Sequence, residues 1–284
     1  MKLIISRKGF DSSSGGVPNP ILPDGSMVPL PIPDPASPIA YGDIAYKSGR
    51  LDELVACLTG GKIGRKHGAH LDPDLDPASL PRPKRWLPLF GQHGAAQSHL
   101  AGKGVGPGDL FLFFGWFRQT ETGGIGLRFC RNAPQLHALF GWLQVAQKWD
   151  IGEAVSPLPR WMRYHPHFHG ERRGSNVIYQ AAETLSLPGC QVLAGAGLFP
   201  GFYPSLRLTA DGRTRSHWSL PPWFHPRGRA SCLSYHEDSA RWERARHAVL
   251  LRSAARGQDF VLDCDHYPEA IAWASGLIRA ALRR

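Results

Sequence analysis

Apolar positions along this chain fall into short runs separated by long polar, proline-rich intervals, a pattern of short strands and loops with one clear closing helix. Leu3-Ile4-Ile5 predicts an N-terminal strand that breaks at Gly9. The stretch to Pro38 contains Pro18, Pro20, Pro23, Pro29, Pro31, Pro33 and Pro35, which remove too many N–H donors for regular structure. It also carries Val17, Ile21, Leu22, Met27, Val28, Leu30 and Ile32, so it is expected to lie over the core as an ordered strap. Leu51–Leu58 reads as a short helix stopped at Gly60-Gly61, and Gly64–Gly108 as loop.

The clearest β region follows. Asp109–Arg118 (DLFLFFGWFR) is expected to pair with Gly126–Cys130. Leu136–Val145 (LHALFGWLQV) fits a buried strand or a short helix. The repeated Phe-Gly-Trp phrases, Phe114–Trp116 and Phe140–Trp142, favour two strands in similar environments. Asn176–Ala181 predicts another strand, with a turn at Pro188-Gly189. Ser239–Arg256 starts with a helix-capping pattern, although Val249-Leu250-Leu251 also suits a strand; Asp259–Asp263 reads as a strand. Pro268–Leu282 is a helix on several signals. Pro268 suits the first helical position, Glu269 the positive end of the dipole, and Ile271, Ala274, Ile278 and Leu282 share one face. Arg279, Arg283 and Arg284 suit the negative end. No fixed-period repeat and no flexible linker divides the chain, so residues 1–284 are read as one mixed domain.

Composition narrows the function classes. No apolar run reaches the length of a membrane-spanning helix, and Arg7 and Lys8 interrupt the N-terminal run too early for a secretory leader. Cys57, Cys130, Cys190, Cys232 and Cys264 are odd in number and form no Cys-x-x-Cys, which argues for a reducing cytoplasm rather than a disulfide framework. The net charge of +10 attracts polyanions, whether nucleic acid, nucleotide phosphates or an anionic membrane; with no apolar span, nucleic acid or a nucleotide and no membrane are the expected partners. Arg207, Arg213, Arg215, Arg227 and Arg229 fall close together, opposed in sequence only by Asp211; a solvated basic surface and a phosphate-tracking patch explain them equally.

Three segments carry candidate chemistry. The first, Ser6-Arg7-Lys8-Gly9-Phe10-Asp11-Ser12-Ser13-Ser14-Gly15-Gly16, leaves a strand with two cations, several hydroxyls and glycines, as a phosphate cradle requires; Asp11 would be a base or metal ligand. It matches neither the Walker A nor the dinucleotide-binding pattern, and a polar turn is the plain alternative. The second runs from His67 through His70 and Asp72 to Asp74. His70 and Asp72 bring nitrogen and oxygen donors close enough for a divalent metal or an acid–base pair, whereas Asp-Pro steps are also ordinary turn formers. The third, Tyr164–Gly170 (YHPHFHG), flanked by Arg160, Arg163, Arg172 and Arg173, would point alternating histidines to one face if extended. Histidines capping a strand, bonded to backbone or to a phosphate, are preferred there over a metal site. Trp116, Trp142, Trp218 and Trp223 offer stacking surfaces, although most tryptophans belong to a core. No Gly-x-Ser-x-Gly elbow or zinc deaminase signature is present.

The phrases SRKGFDSSSGGVPNPILPDG, PLPIPD, HLDPDL, GDLFLFFGWFR, FGWLQV, HPHFHG and GQDFVLDCDHYPEAIAWA, in this order and spread over nearly the whole chain, resemble the nucleotide modification associated domain family, the third of that named series. The resemblance implies an α+β protein of bacterial or phage systems that modify DNA bases. It places recurring polar positions at Arg7, Lys8, Asp11, Ser12, His70, Asp72, Arg118, His165 and His167, which makes one composite site the expectation. Gly108–Ala182 also resembles the small β-barrels of the PUA/ASCH group, which would imply a base-reading pocket.

The combined expectation is an α+β protein with a small β-barrel-like or sheet core, long proline-rich loops and a C-terminal helix. It would be a cytoplasmic protein acting on, or binding, a nucleotide or modified base. Asp11, His70 and Asp72 would carry catalysis or a divalent metal. Arg7, Lys8, Ser12, Arg118, His165 and His167 would hold nucleotide or phosphate, and Trp116 and Trp142 would stack on the base, with Arg118 beside them. The alternatives are a non-catalytic reader of modified nucleic acid and a basic accessory subunit of DNA-modification enzymes. An enzyme requires carboxylates beside the histidines in one basic cleft, a reader an aromatic cage without a carboxylate floor, and an accessory subunit a large exposed apolar patch.

Overall fold

The computed structural model describes residues 1–47, 49–124, 126–152, 158–171, 174–227 and 233–282. Arg172, Arg173, Arg229, Cys232, Arg283 and Arg284, singled out in the sequence, lie outside the described residues.

The apolar run at Leu110 becomes the strand Leu110–Gly123 inside a nine-stranded mixed sheet. Leu110, Leu112 and Phe114 enter one core with Leu3, Ile5, Trp218 and Phe260. Phe111, Phe113 and Phe117 enter a second with Ile4, Phe90, Phe140 and Tyr179. A strand covered on both faces needs no polar alternation, which explains the unbroken run. Lys2–Arg7 pairs with it in parallel and Leu136–Asp150 antiparallel. The sheet then continues from Lys2–Arg7 to Asp259–Asp263, and from Leu136–Asp150 through Asn176–Ala181 to Leu89–His93. Asn19–Ile21, Gly126–Phe129 and Ala196–Leu198 attach to its long strands.

The sheet is open, so the PUA/ASCH-like barrel expected around 108–182 is not formed. Its two ends nevertheless meet through side chains. Gln92 Nε2, on Leu89–His93, donates to Asp259 Oδ2 of Asp259–Asp263 at 2.7 Å, and Ser6 Oγ donates to Asp259 Oδ1 at 2.6 Å. The polar cleft described below opens above this junction.

The described residues form three α-helices: α1 (Leu51–Thr59), α2 (Gly94–Gly102) and α3 (Glu269–Leu282). Gly60, at φ 62°, ends α1 as its sequence predicts. Ala270, Ala274, Leu277 and Ile278 of α3 close the first core. The proline-rich strap is ordered, and buries Leu22, Val28 and Leu30 against Tyr41, Leu54 and Val55. Asn19 fixes it: Oδ1 accepts from Leu30 N at 2.7 Å, and Nδ2 donates to the Trp116 carbonyl at 2.8 Å.

Several expectations fail for local reasons. A bulge between Leu139 and Gly141 sends Phe140 and Trp142 into opposite cores, so the two Phe-Gly-Trp phrases do not share an environment. Ser239–Arg256 forms a single capped 3₁₀ turn, Ser239–Arg241, and not a longer helix; two strands follow, Trp242–Arg244 and Val249–Arg252, the second being the strand that Val249-Leu250-Leu251 also suited. α2 lies within the predicted loop; Gln97 and Leu100 are its buried residues, too few to mark an amphipathic period.

Candidate functional site

Two adjoining cavities, of about 360 and 420 Å³, share Arg7, Lys8, Asp11, Ser13 and Ala255 along their common wall. The first contains His70, Asp72, Gln92, His93 and His167; the second contains Ser12, Trp116, His137 and Arg215. Other cavities of 590 Å³ beside α3 and 230 Å³ under the strap have no histidine in their walls.

The histidine arm is built by three segments. His70 ends the short strand Ala69–His70, which pairs with Ile32–Pro33 and so sets Asp34 beside the ring. Asp72 follows two residues later, its Oδ1 accepting from Gly91 N at 2.7 Å. His167 lies in the 3₁₀ turn Pro166–Phe168, and its ring rests on the backbone of Gly91. A β-carbon at position 91 would stand 2.4–2.7 Å from that ring, so only glycine admits this approach. The histidines of YHPHFHG therefore converge through a turn rather than by strand alternation. His169 leaves the group and bonds the Arg163 carbonyl at 2.8 Å.

His70 Nδ1 meets Asp34 Oδ2 at 2.8 Å, and His167 Nδ1 meets Asn176 Oδ1 at 2.8 Å. Asn176 Nδ2 donates to the His167 carbonyl at 2.9 Å, which fixes the orientation of the amide. The opposite nitrogens face one carboxylate oxygen: His70 Nε2 is 3.8 Å and His167 Nε2 3.6 Å from Asp72 Oδ2. His165 is completely buried behind Asp72, its Nε2 3.4 Å from Oδ1 but outside hydrogen-bonding geometry. Burial pushes its pKa down to about 4, so it is neutral at pH 7.

The second arm is cationic and aromatic. The Arg7 guanidinium reaches the Gly257 carbonyl at 2.8 Å and stays at the shared wall; burial lowers its pKa, which Asp11 partly offsets. Lys8 Nζ lies 4.5 Å from the centre of the Phe90 ring, and Arg215 stacks over Trp116 at 4.3 Å.

The sequence candidates divide accordingly. Arg7, Lys8, Asp11, His70, Asp72 and His167 come together around the first cavity, and Ser12 and Trp116 border the second. Asp11 also caps its own loop, Oδ1 accepting from the N–H groups of Ser13 and Ser14. Arg118 is not in this group: its guanidinium bonds the carbonyls of Cys130, Arg131 and Ala133, which leaves it holding a turn. Trp142 is 2% exposed and packs on Phe199, so it offers no face to a base. His165 has no surface for a phosphate. His67 bonds within its own turn at Gly64, and Asp74 is taken by Arg82 at 2.6 and 2.7 Å and by Tyr164 at 2.6 Å. The arginine-rich stretch is not a single patch either. Arg207 pairs with Asp211 and Arg227 with Glu269, while Arg215 turns into the cleft.

Asp34, Asn176, Gln92 and His93 escaped notice as site residues, and Arg215 was noticed only as part of the arginine-rich stretch. Only Asn176, a polar residue opening the apolar run NVIYQA, carries a local signal.

A family model described as nucleotide modification associated domain 3 matches residues 2–263, spanning every residue of both arms. The chain belongs to that family. No curated protein and no solved structure matches it significantly. This nucleotide modification associated domain 3 protein is thus tied by family to nucleotide modification. No helix among the described residues is long and apolar enough to cross a membrane.

Proposed function

We propose that the double cleft binds a nucleotide, free or within a DNA strand, and that the chain is a modifying enzyme. The base enters the histidine arm, where Asp72, His70 and His167 form the reactive end. The phosphate lies over Arg7, Lys8 and the Ser12–Ser14 loop, and the flanking nucleotide runs along Trp116 and Arg215. One observation carries the reading: a buried carboxylate with converging histidines opens directly onto a cationic wall shared with an aromatic arm. Guanidinium and ammonium groups attract phosphate without reading sequence, and an indole face accepts any base.

A reader would need an aromatic cage, whereas the floor here is Asp72 and imidazoles. An accessory subunit would need a broad apolar surface; among the described residues the exposed large hydrophobics are Val192 and Tyr235. Lys8→Ala combined with Arg215→Ala is expected to weaken deoxynucleotide binding at least ~10-fold, since charge-assisted bonds contribute about 1.5–3 kcal/mol each. Asp72→Asn should instead abolish conversion of a DNA substrate, read as a nucleoside mass change, while leaving binding within a few-fold. Unchanged affinity in the double variant would sink the assignment of the cationic wall.

A further inference from the structure

We propose that His70 Nε2, Asp72 Oδ2 and His167 Nε2 form a binding site for one divalent first-row transition metal ion, of the zinc, iron, cobalt or manganese class. The inference deepens the reading above, because it states what the reactive end holds.

The argument starts with the protons. Asp34 Oδ2 is an acceptor at 2.8 Å from His70 Nδ1, and Asn176 Oδ1 is an acceptor at 2.8 Å from His167 Nδ1. The Asn176 oxygen cannot exchange places with its nitrogen, because that nitrogen donates to the His167 carbonyl at 2.9 Å. Each Nδ1 therefore carries the hydrogen, and in a neutral ring Nε2 presents a lone pair. Both lone pairs face Asp72 Oδ2, from 3.8 and 3.6 Å, too far for hydrogen bonds. Three electron-rich atoms converging in a buried place, with side chains 11%, 3% and 2% exposed, call for a cation between them.

The geometry fits a metal ion. One donor atom from each of His70, Asp72 and His167 lies within 4.8 Å of the others. Bonds of about 2.0–2.1 Å require donor separations of roughly 3.4 Å in a tetrahedral site, so the two nitrogen–oxygen distances close by a few tenths of an ångström. Gly91 N holds Asp72 Oδ1 away from the group, which makes the carboxylate a single-oxygen ligand. Asp34 and Asn176 supply the outer acceptors that ligating imidazoles use to fix their tautomer. Two nitrogens and one oxygen select a transition metal, whereas magnesium and calcium prefer oxygen throughout. His70, Asp72 and His167 all border the 360 Å³ cavity together with Lys8 and His93, from which water or a substrate atom would complete the shell.

Cobalt(II) titration of chelator-treated full-length protein tests this, with no nucleotide present, so that failure here and failure of nucleotide binding are separate results. The expected outcome is one equivalent bound, with a visible ligand-field spectrum, displaced by zinc and not by magnesium. His167→Ala should lose the spectrum. His70→Ala, whose ring is less enclosed, serves as a second ligand variant should the first not fold. Asn176→Ala and Asp34→Ala should keep the site but weaken it about 10–100-fold, the range for lost outer-shell partners. No uptake by folded wild-type protein, or unchanged affinity in the ligand variants, would overturn the proposal.

Discussion

At the scale of single residues, the candidate site depends on atoms that leave no mark in the sequence. His70 and Asp72 are neighbours in sequence, and their proximity was legible. Asp34 and Asn176 were not, because the contacts that give them meaning are set by the strand pairing Ile32–Pro33 with Ala69–His70 and by the fold of the Pro166–Phe168 turn. Gly91 reads as an unremarkable glycine in a strand until the His167 ring is placed on it. Gly91→Ala should therefore displace that ring and destabilise the protein by about 1–3 kcal/mol, the range for overpacking. A denaturant titration alongside the cobalt spectrum checks both effects; an unchanged midpoint and unchanged spectrum would contradict the close packing. Trp142 shows the converse. Its similarity to Trp116 in sequence concealed a bulge that buries one ring and leaves the other at the cleft.

Among elements, apolar runs were legible and irregular segments were not. The strand Leu110–Gly123 and α3 follow from their patterns, whereas the turn at Pro166 was read as extended, since periodicity cannot register a 3₁₀ turn. The loops that carry Asp72 and His165 are tied at the buried carboxylate of Asp74. Arg82 is bidentate to Asp74, and the Tyr164 hydroxyl donates to the same carboxylate while accepting from Trp86 Nε1 at 2.7 Å. Removing the guanidinium strands a completely buried carboxylate. Arg82→Met should cost about 3–5 kcal/mol, while the Tyr164→Phe change should cost nearer 1–3 kcal/mol. Chemical denaturation of both variants checks the order; a larger loss from Tyr164→Phe would contradict it.

For the whole molecule, burial of neutral histidines couples stability to pH. Burial pushes His137 down to about 3 and His236 to about 4, in both cases with nearby arginines acting in the same direction. An unfolded chain protonates these rings near 6.5, so their contribution is fully present above that pH. It is lost as pH falls from about 6.5 towards 4 and then 3, by about 1.4 kcal/mol per pH unit for each ring that the unfolded chain alone protonates. Urea midpoints measured between pH 7.5 and 4.5, chosen as roughly bracketing this window, should fall with acid; His236→Gln should flatten the slope, and an identical slope would remove that residue from the explanation. The charge of +10 is likewise a property of the whole chain, and its placement became clear only when Arg207 and Arg227 were found paired and Arg215 in the cleft.

Nucleotide binding in the double cleft is the central claim, and equilibrium titration with a short single-stranded DNA, followed by tryptophan fluorescence at several salt concentrations, tests it most directly. The account predicts a signal lost in Trp116→Phe, and affinity that falls with a log–log salt slope of roughly −1.4 to −2, as two or three neutralised phosphates require. The slope should shrink in Lys8→Ala/Arg215→Ala. Binding that is insensitive to all three substitutions, or no binding at low salt, would contradict it.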